Sequence, residues 1–355
     1  MPVPDLGASV ADGERRRGDP SRPVTISSIA ESAGVSVPTV SKVINGRSGV
    51  AADTRARVES FISQYGYRRP EPAHRSDIME LVFRELESMW AVEIIRGVEQ
   101  VARAHHVGVL LSEFGPQRPA ARTWIDDALA RRPACVVTVA QLSEEQRGQL
   151  RARGIPFVVF DPTFELPSDV PFVGATNWSG GRSATRHLIE LGHRRIAMIS
   201  GPDRVLCCRA RLDGYRSAME GADLPIDPDL VVRTDLDREH GYAAARDLLG
   251  RTRRPSAIFA ANDMQALGVY QAAREAGLRI PEDLSVVGFD DLPVVAWVDP
   301  PMTSVHQPLT QMAVVATELA LSLGRGEKPA QVGLEIATTL TVRDSTAPPS
   351  RSHPV

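Results

Sequence analysis

The stretch Thr25-Ile26-Ser27-Ser28-Ile29-Ala30-Glu31-Ser32-Ala33-Gly34-Val35-Ser36-Val37-Pro38-Thr39-Val40-Ser41-Lys42-Val43-Ile44-Asn45-Gly46 carries two apolar stripes at helical spacing, separated by one glycine. Ile26, Ile29, Ala30 and Ala33 fall on one face of a short helix, with Thr25 as its N-cap. Gly34 permits the left-handed conformation that stops it. Ser36 caps a second helix over 37–44, where Pro38 lies in the first turn and costs no internal hydrogen bond. Val40, Val43 and Ile44 form its buried face, and Asn45-Gly46 ends it. A third helix over about 53–65 buries Val58, Phe61 and Ile62. Two helices joined by a tight glycine-containing turn, closed by a third, make a helix-turn-helix unit.

N-terminal to this unit, residues 1–23 are rich in Gly, Pro and charge and read as a disordered tail. C-terminal to it, from Ile78, apolar runs of four to six residues alternate with amphipathic helical stretches. One series runs from Leu81-Val82-Phe83 to Ile155–Phe160, a second from Ile196–Ile199 to Leu284–Phe289. Short, fully apolar strands alternating with helices predict parallel sheets covered on both faces. Two such series predict two α/β lobes, with a binding site at the C-terminal strand ends between them.

The 355 residues have a net charge of −3, 43% hydrophobic and 24% charged residues, as in ordinary globular proteins. The charge is uneven: residues 22–76 hold eight Lys and Arg against four acids, whereas 77–355 carry −6. A small basic segment on a large acidic body points to a polyanion partner for the small part. No apolar run is long enough to span a bilayer, so no membrane partner is expected. Met1–Pro23 lacks the apolar core of a secretory signal. The three cysteines, Cys135, Cys207 and Cys208, form no disulfide framework or zinc spacing, which places the chain in the reducing cytoplasm. No phosphate loop, dinucleotide fingerprint, nucleophile elbow or metal-ligand cluster is present, so neither enzymatic activity nor a cofactor or metal is expected. A secreted two-lobed receptor would share this core, but would need a signal peptide and no helix-turn-helix unit.

Val24–Gly46 resembles the helix-turn-helix signature of the lactose-repressor (LacI/GalR) transcription factors. Asn177 with Gly180-Gly181, Arg186-His187-Leu188, Leu191–Ile196, Arg211–Tyr215, Ala261-Asn262-Asp263, Pro281–Asp291 and Pro300–Pro308 match further motifs of that family, in order. The resemblance covers about residues 24–344. It implies a DNA-binding head (24–69), a hinge (70–77) and a two-lobed, periplasmic-binding-protein-like effector core (78–345), leaving a C-terminal tail (346–355). It also implies a homodimeric repressor on an approximately palindromic operator, controlled by a sugar effector.

Val37, Pro38, Thr39, Ser41, Lys42 and Asn45 lie on the non-core side of the second helix, as base and phosphate contacts require. By resemblance, Ser36, Thr39, Asn45, Thr54, Arg55 and Tyr67 contact phosphates, and Val37, Pro38 and Lys42 select bases; Thr25 and Ser41 complete the DNA-facing set. Lys42 stands where the family more usually has Arg, and lacks its planar fork. Ala51 replaces the usual serine cap. Pro70 and Pro72 interrupt the usual hinge helix, and the family's leucine wedge has no counterpart. Family effector positions map onto Asp161, Arg211, Asn262, Asp290 and Gln307, with Arg211 and Asp290 expected to face each other across the cleft. Glu85, Glu87 and Trp90 follow the first core strand, where Trp90 is either a sugar-stacking platform or an interface residue. Trp178, just inside a helix, is expected to serve packing.

Overall fold

The computed structural model describes residues 25–44, 49–65, 77–84, 86, 89–114 and 121–350. The N-terminal tail, Asn45, Tyr67, Glu85, Glu87, the hinge up to Ser76 and the last five residues lie outside the described residues, so the expectations placed on them do too. The chain forms two compact units, 1–74 and 75–355.

The first unit holds α1 (Ile26–Ala33), α2 (Val37–Ile44) and α3 (Ala52–Gln64). Thr25 caps α1 through a reciprocal pair: Ser28 N donates to Thr25 Oγ1 at 3.2 Å, and Thr25 N to Ser28 Oγ at 2.9 Å. Gly34 ends α1 at φ +65°, a conformation costly to any residue with a Cβ. Ile29, Ala30, Ala33, Val40, Val43 and Val58 form the core. Ala51 precedes α3 without a side-chain cap.

The second unit is two parallel-sheet lobes. The first lobe begins with β1 (Ile78–Phe83), α4 (Met89–Ala104), β2 (Gly108–Glu113), α5 (Ala121–Arg131), β3 (Val136–Thr138), α6 (Glu144–Ala152), β4 (Phe157–Phe160) and β5 (Phe172–Ala175). The second contains α7 (Asn177–Glu190), β6 (Ile196–Ser200), α8 (Leu206–Glu220), β7 (Val231–Arg233), α9 (Arg238–Leu249), β8 (Ala257–Ala260), α10 (Asp263–Glu275), β9 (Ser285–Asp290) and β10 (Thr303–His306). The chain then returns to the first lobe with α11 (Leu309–Gly324) and β11 (Gly333–Ile336), and ends in the second with β12 (Thr339–Thr341). The strand orders are β11-β5-β4-β3-β1-β2 and β12-β10-β9-β8-β6-β7. Only β12 pairs antiparallel, at an edge, among these strands. Every residue of β4, β6, β8 and β9 is buried, which is why these strands read as unbroken apolar runs. Each fully buried Ile, Val or Phe there contributes roughly 1.5–3 kcal/mol.

The two sequence series therefore do not exhaust the lobes. The buried face of α11 (Leu309, Met312, Ala313, Ala316, Ala320) packs into the core of the first lobe, though it follows the last strands of the second. Its i, i+3, i+4 apolar spacing was a readable helical signal. The expected C-terminal tail is also shorter at its start. Ala347 N donates to Ser285 Oγ at 3.1 Å, and Ala347 O lies 2.9 Å from His193 Nε2, fastening this segment to the second lobe. No helix of the described residues is long and apolar enough to cross a membrane.

Candidate functional site

On the first unit, burying Val40 and Val43 turns the opposite face of α2 outward. Ser36, Val37, Pro38 and Lys42 are exposed, and Thr39 and Ser41 are half-buried. Val37 is 40% exposed, a large apolar residue left in water at the start of a helix. Ser36 Oγ and Thr39 Oγ1 are 2.9 Å apart, which orders the first turn of α2. Thr25 is exposed at the start of α1, while Thr54 and Arg55 are half-buried on the first turn of α3. Small polar groups, an apolar contact and one cation on a short helix match what base edges and phosphates require.

In the second unit the parallel strands of both lobes end at one polar cluster. Asp161 follows β4, Asp290 ends β9, Gln307 follows β10, and Arg211 stands on α8. All four are buried, Arg211 with 4% of its surface exposed and Gln307 with 1%. Each nitrogen of the Arg211 guanidinium has one protein acceptor, which leaves the second N–H of each terminal nitrogen for a ligand. Nε donates to Asn177 Oδ1 at 2.8 Å, Nη1 to Ala261 O at 2.7 Å, and Nη2 to Gln307 Oε1 at 2.9 Å. Its Cζ lies 3.6 Å from the centre of the Phe289 ring. Gln307 Nε2 donates in turn to Asp161 Oδ2 at 3.2 Å. Arg211 Nη1 is 3.5 Å from Asp290 Oδ1.

This last contact corrects an expectation. Arg211 and Asp290 do not face each other across the cleft; they are neighbours within the second lobe. Helix α8 packs on the second-lobe sheet and β9 is a strand of it, Gln307 stands at the end of β10 where the chain leaves that lobe, and Asp161 supplies the first-lobe side. Burial drives the carboxyl of Asp161 above its usual range, opposed by Arg211 and the Gln307 hydrogen bond. Burial likewise pushes Asp290 up to about 7, again against the pull of Arg211. Asp161 and Asp290 also adopt positive φ, 45° and 107°. Aspartate tolerates the left-handed region of Asp161, whereas φ 107° at Asp290 lies beyond it and is held by the surrounding structure.

Trp90, at the start of α4, packs edge-on against Phe160, with ring centres 5.8 Å apart and planes at 73°. Phe160 immediately precedes Asp161, so the half-buried tryptophan stands beside the cluster on the first-lobe side. Asn262 is spent differently. Its Oδ1 accepts from Gln265 N at 2.9 Å as the cap of α10, and its Nδ2 donates to Leu236 O at 2.8 Å. Both polar ends thus hold second-lobe structure. Trp178 is not a packing residue: it is 45% exposed, with Arg182 5.8 Å from the ring centre. Gly181 serves helix packing, because a Cβ there would overlap the carbonyl of Arg211. Sequence reasoning missed Asn177 and Phe289, which orient Arg211. Asn177 and Phe289 both fall in motifs that match the family, but nothing in those motifs pairs them with Arg211.

The chain crosses between lobes at three places, and the crossings are stitched together. Thr338 N donates to Thr176 Oγ1 at 2.9 Å, and Thr338 Oγ1 to Thr176 O at 3.1 Å. Gln307 occupies the remaining crossing. Among the described residues, no group of three His, Cys, Asp or Glu is placed to hold a metal ion.

A model of bacterial regulatory proteins of the lacI family matches residues 25–70, and a model of a periplasmic binding protein-like domain matches residues 185–346. The HTH-type transcriptional regulator CelR of Thermobifida fusca is 37% identical over 348 residues, 94% of this chain and 99% of its own. A solved complex of transcriptional regulator CelR with cellobiose superposes with a TM-score of 0.71 at 34% identity, covering 91% of this chain and 100% of that one. The lac repressor dimer bound to operator and the anti-inducer ONPF gives 0.67 at 26% identity, covering 92% and 100%.

Proposed function

This chain belongs to the lacI family of bacterial regulatory proteins, and on that premise we propose a cytoplasmic transcriptional repressor whose hold on its operator is set by a neutral disaccharide. The observation that carries the effector class is the buried cluster of Arg211, Asp161, Asp290 and Gln307 between the lobes. One guanidinium with two carboxylates offers no excess positive charge, so the cluster suits hydroxyl groups rather than a phosphate or carboxylate. Carboxylates accept from hydroxyls and the guanidinium donates to them. Trp90 offers an aromatic face for the apolar side of a sugar ring. CelR was solved with cellobiose, which makes a β-linked glucose disaccharide the first ligand to test.

The domain limits proposed are 24–69 for the head, 70–77 for the hinge and 78–345 for the core. Two heads of a two-fold dimer read an approximately palindromic operator; the lac repressor was solved as a dimer bound to operator. Val37, Pro38 and Lys42 read bases. Ser36, Thr39, Asn45, Thr54, Arg55 and Tyr67 hold the phosphates, and Thr25 and Ser41 complete the DNA-facing set. The sugar alters DNA binding only through its different affinity for two lobe arrangements. The role is regulatory rather than catalytic.

A thermal-shift series with cellobiose, cellotriose, maltose, glucose and glucose 6-phosphate, followed by operator binding, tests this reading. Cellobiose is expected to raise the melting midpoint and to change operator affinity about 5–150-fold. Preferential stabilisation by the phosphosugar, or by none of the five, would overturn the effector assignment.

A further inference from the structure

Residues 77–355 are acidic overall, yet five arginines converge on one part of the second lobe. Arg194 and Arg195 immediately precede β6, and Arg251, Arg253 and Arg254 lie just ahead of β8. They rim a cavity of about 730 Å³ whose accessible apolar lining is Leu224, Pro225 and Pro349. The cavity stands at the N-terminal ends of β6, β7 and β8, whereas Asp290 and Ala261 stand at C-terminal strand ends of the same sheet. It shares no lining residue with the effector cluster.

The positive charge of this groove is only partly used within the protein. Asp227 is its one acidic lining residue, and Arg195 Nη1 holds it at 2.8 Å. Arg251 donates to Asp229 O at 2.6 Å and to Asp247 Oδ2 at 3.1 Å. Arg194 donates to the backbone carbonyls of Ile189 and His193, both at 3.2 Å, and to no carboxylate among the described residues. The Arg253 side chain has no hydrogen-bond or ion-pair partner among the described residues. Crowded like charges repel one another, and an anion seated among them relieves that repulsion.

We propose that this groove binds an organic phosphate. The phosphate end engages Arg194, Arg251 and Arg253, whose planar forks match phosphate oxygens in pairs. A flat, apolar ring body lies on Leu224, Pro225 and Pro349. The volume falls within the range of about 300–1,000 Å³ that accommodates whole organic molecules, and exceeds what inorganic phosphate fills.

Isothermal titration of the full chain at low salt with ADP, pyrophosphate and adenosine separates the two halves of the site. ADP is expected to bind at least about tenfold more tightly than pyrophosphate, and adenosine not measurably. The exposed pair Arg194→Gln/Arg253→Gln is expected to weaken ADP by about tenfold or more while leaving the melting midpoint in place; Arg251→Gln gives an independent second variant. The proposal is overturned if ADP does not bind, or if binding is unchanged in both variants. Tighter capture of a poly-glutamate peptide than of ADP by the same arginines would overturn it too, and assign the groove to an acidic protein segment.

Discussion

The Gln307 amide donates to Asp161 Oδ2 at 3.2 Å from the crossing between the lobes, tying the end of a first-lobe strand to the end of a second-lobe one. Its carbonyl accepts from Arg211 in the same cluster. Gln307→Leu keeps the bulk and removes both bonds, leaving two buried charged groups each short of a partner. A hydrogen bond to a charged group is worth about 1.5–3 kcal/mol. Effector affinity is expected to fall by about one to two decades. Calorimetry with cellobiose measures this, and unchanged affinity removes Gln307 from the site.

Asp290 should make effector binding depend on pH. Its carboxyl is pushed to about 7, so part of the population is neutral at neutral pH. Sugar hydroxyls donate best to the ionised form and favour it on binding. Affinity is therefore expected to rise with pH through about 7 and to level off above it. Asp290→Asn should bind more weakly, with a flatter profile. A flat profile for the unsubstituted protein between about pH 6 and 8 contradicts the role.

The head separates base reading from charge. Lys42→Ala should cost about 1–3 kcal/mol on the operator and relax preference at one symmetric pair of positions. Arg55→Ala should weaken all DNA sequences alike and reduce the salt dependence. Gel-shift titrations across salt and operator variants distinguish the two. Sequence-independent loss in both variants would make Lys42 a phosphate contact.

His193 should set an acid limit to core stability. The ring is buried between Ser256, Ser285 and Ala347, and burial lowers its pKa from 6.5 to about 4. The unfolded chain therefore takes up the proton first. The stability at issue is present above pH 6.5 and is lost as pH falls towards about 4. The loss amounts to roughly 3 kcal/mol. Thermal unfolding across that window should show a shallower pH slope for His193→Gln than for the unsubstituted chain.

Gly181 lets α7 approach α8 at the backbone of Arg211. Gly181→Ala forces the helices apart, with an expected cost of about 1–3 kcal/mol. Because the displaced segment carries Arg211, effector affinity should fall along with the melting midpoint. Loss of stability without any change in affinity would show that the guanidinium keeps its position independently of this contact.

The three-helix head and the alternating core were legible because their signals are local. Thr25 caps the helix that begins one residue later, Gly34 ends it, and Val40 and Val43 share a face through helical spacing alone. Buried parallel strands show as apolar runs because both faces of each strand are covered. The effector cluster was legible as residue types, since Asp161, Asp290 and Gln307 each adjoin a strand end. Their partnership was not. Arg211 meets a glutamine 96 residues away, and that glutamine meets an aspartate 146 residues away, through a chain path that has changed lobes near Thr176 and is about to change again at Gln307. Periodicity carries no information about such pairings. So the sequence by itself determined the elements and the chemistry available at their ends. The tertiary structure decided that Arg211 and Asp290 stand side by side in one lobe, that α11 packs on the other, and that the Asn262 amide is consumed as a helix cap. Each of these depends on where distant backbone segments bring buried polar groups, which must find a partner wherever the fold places them.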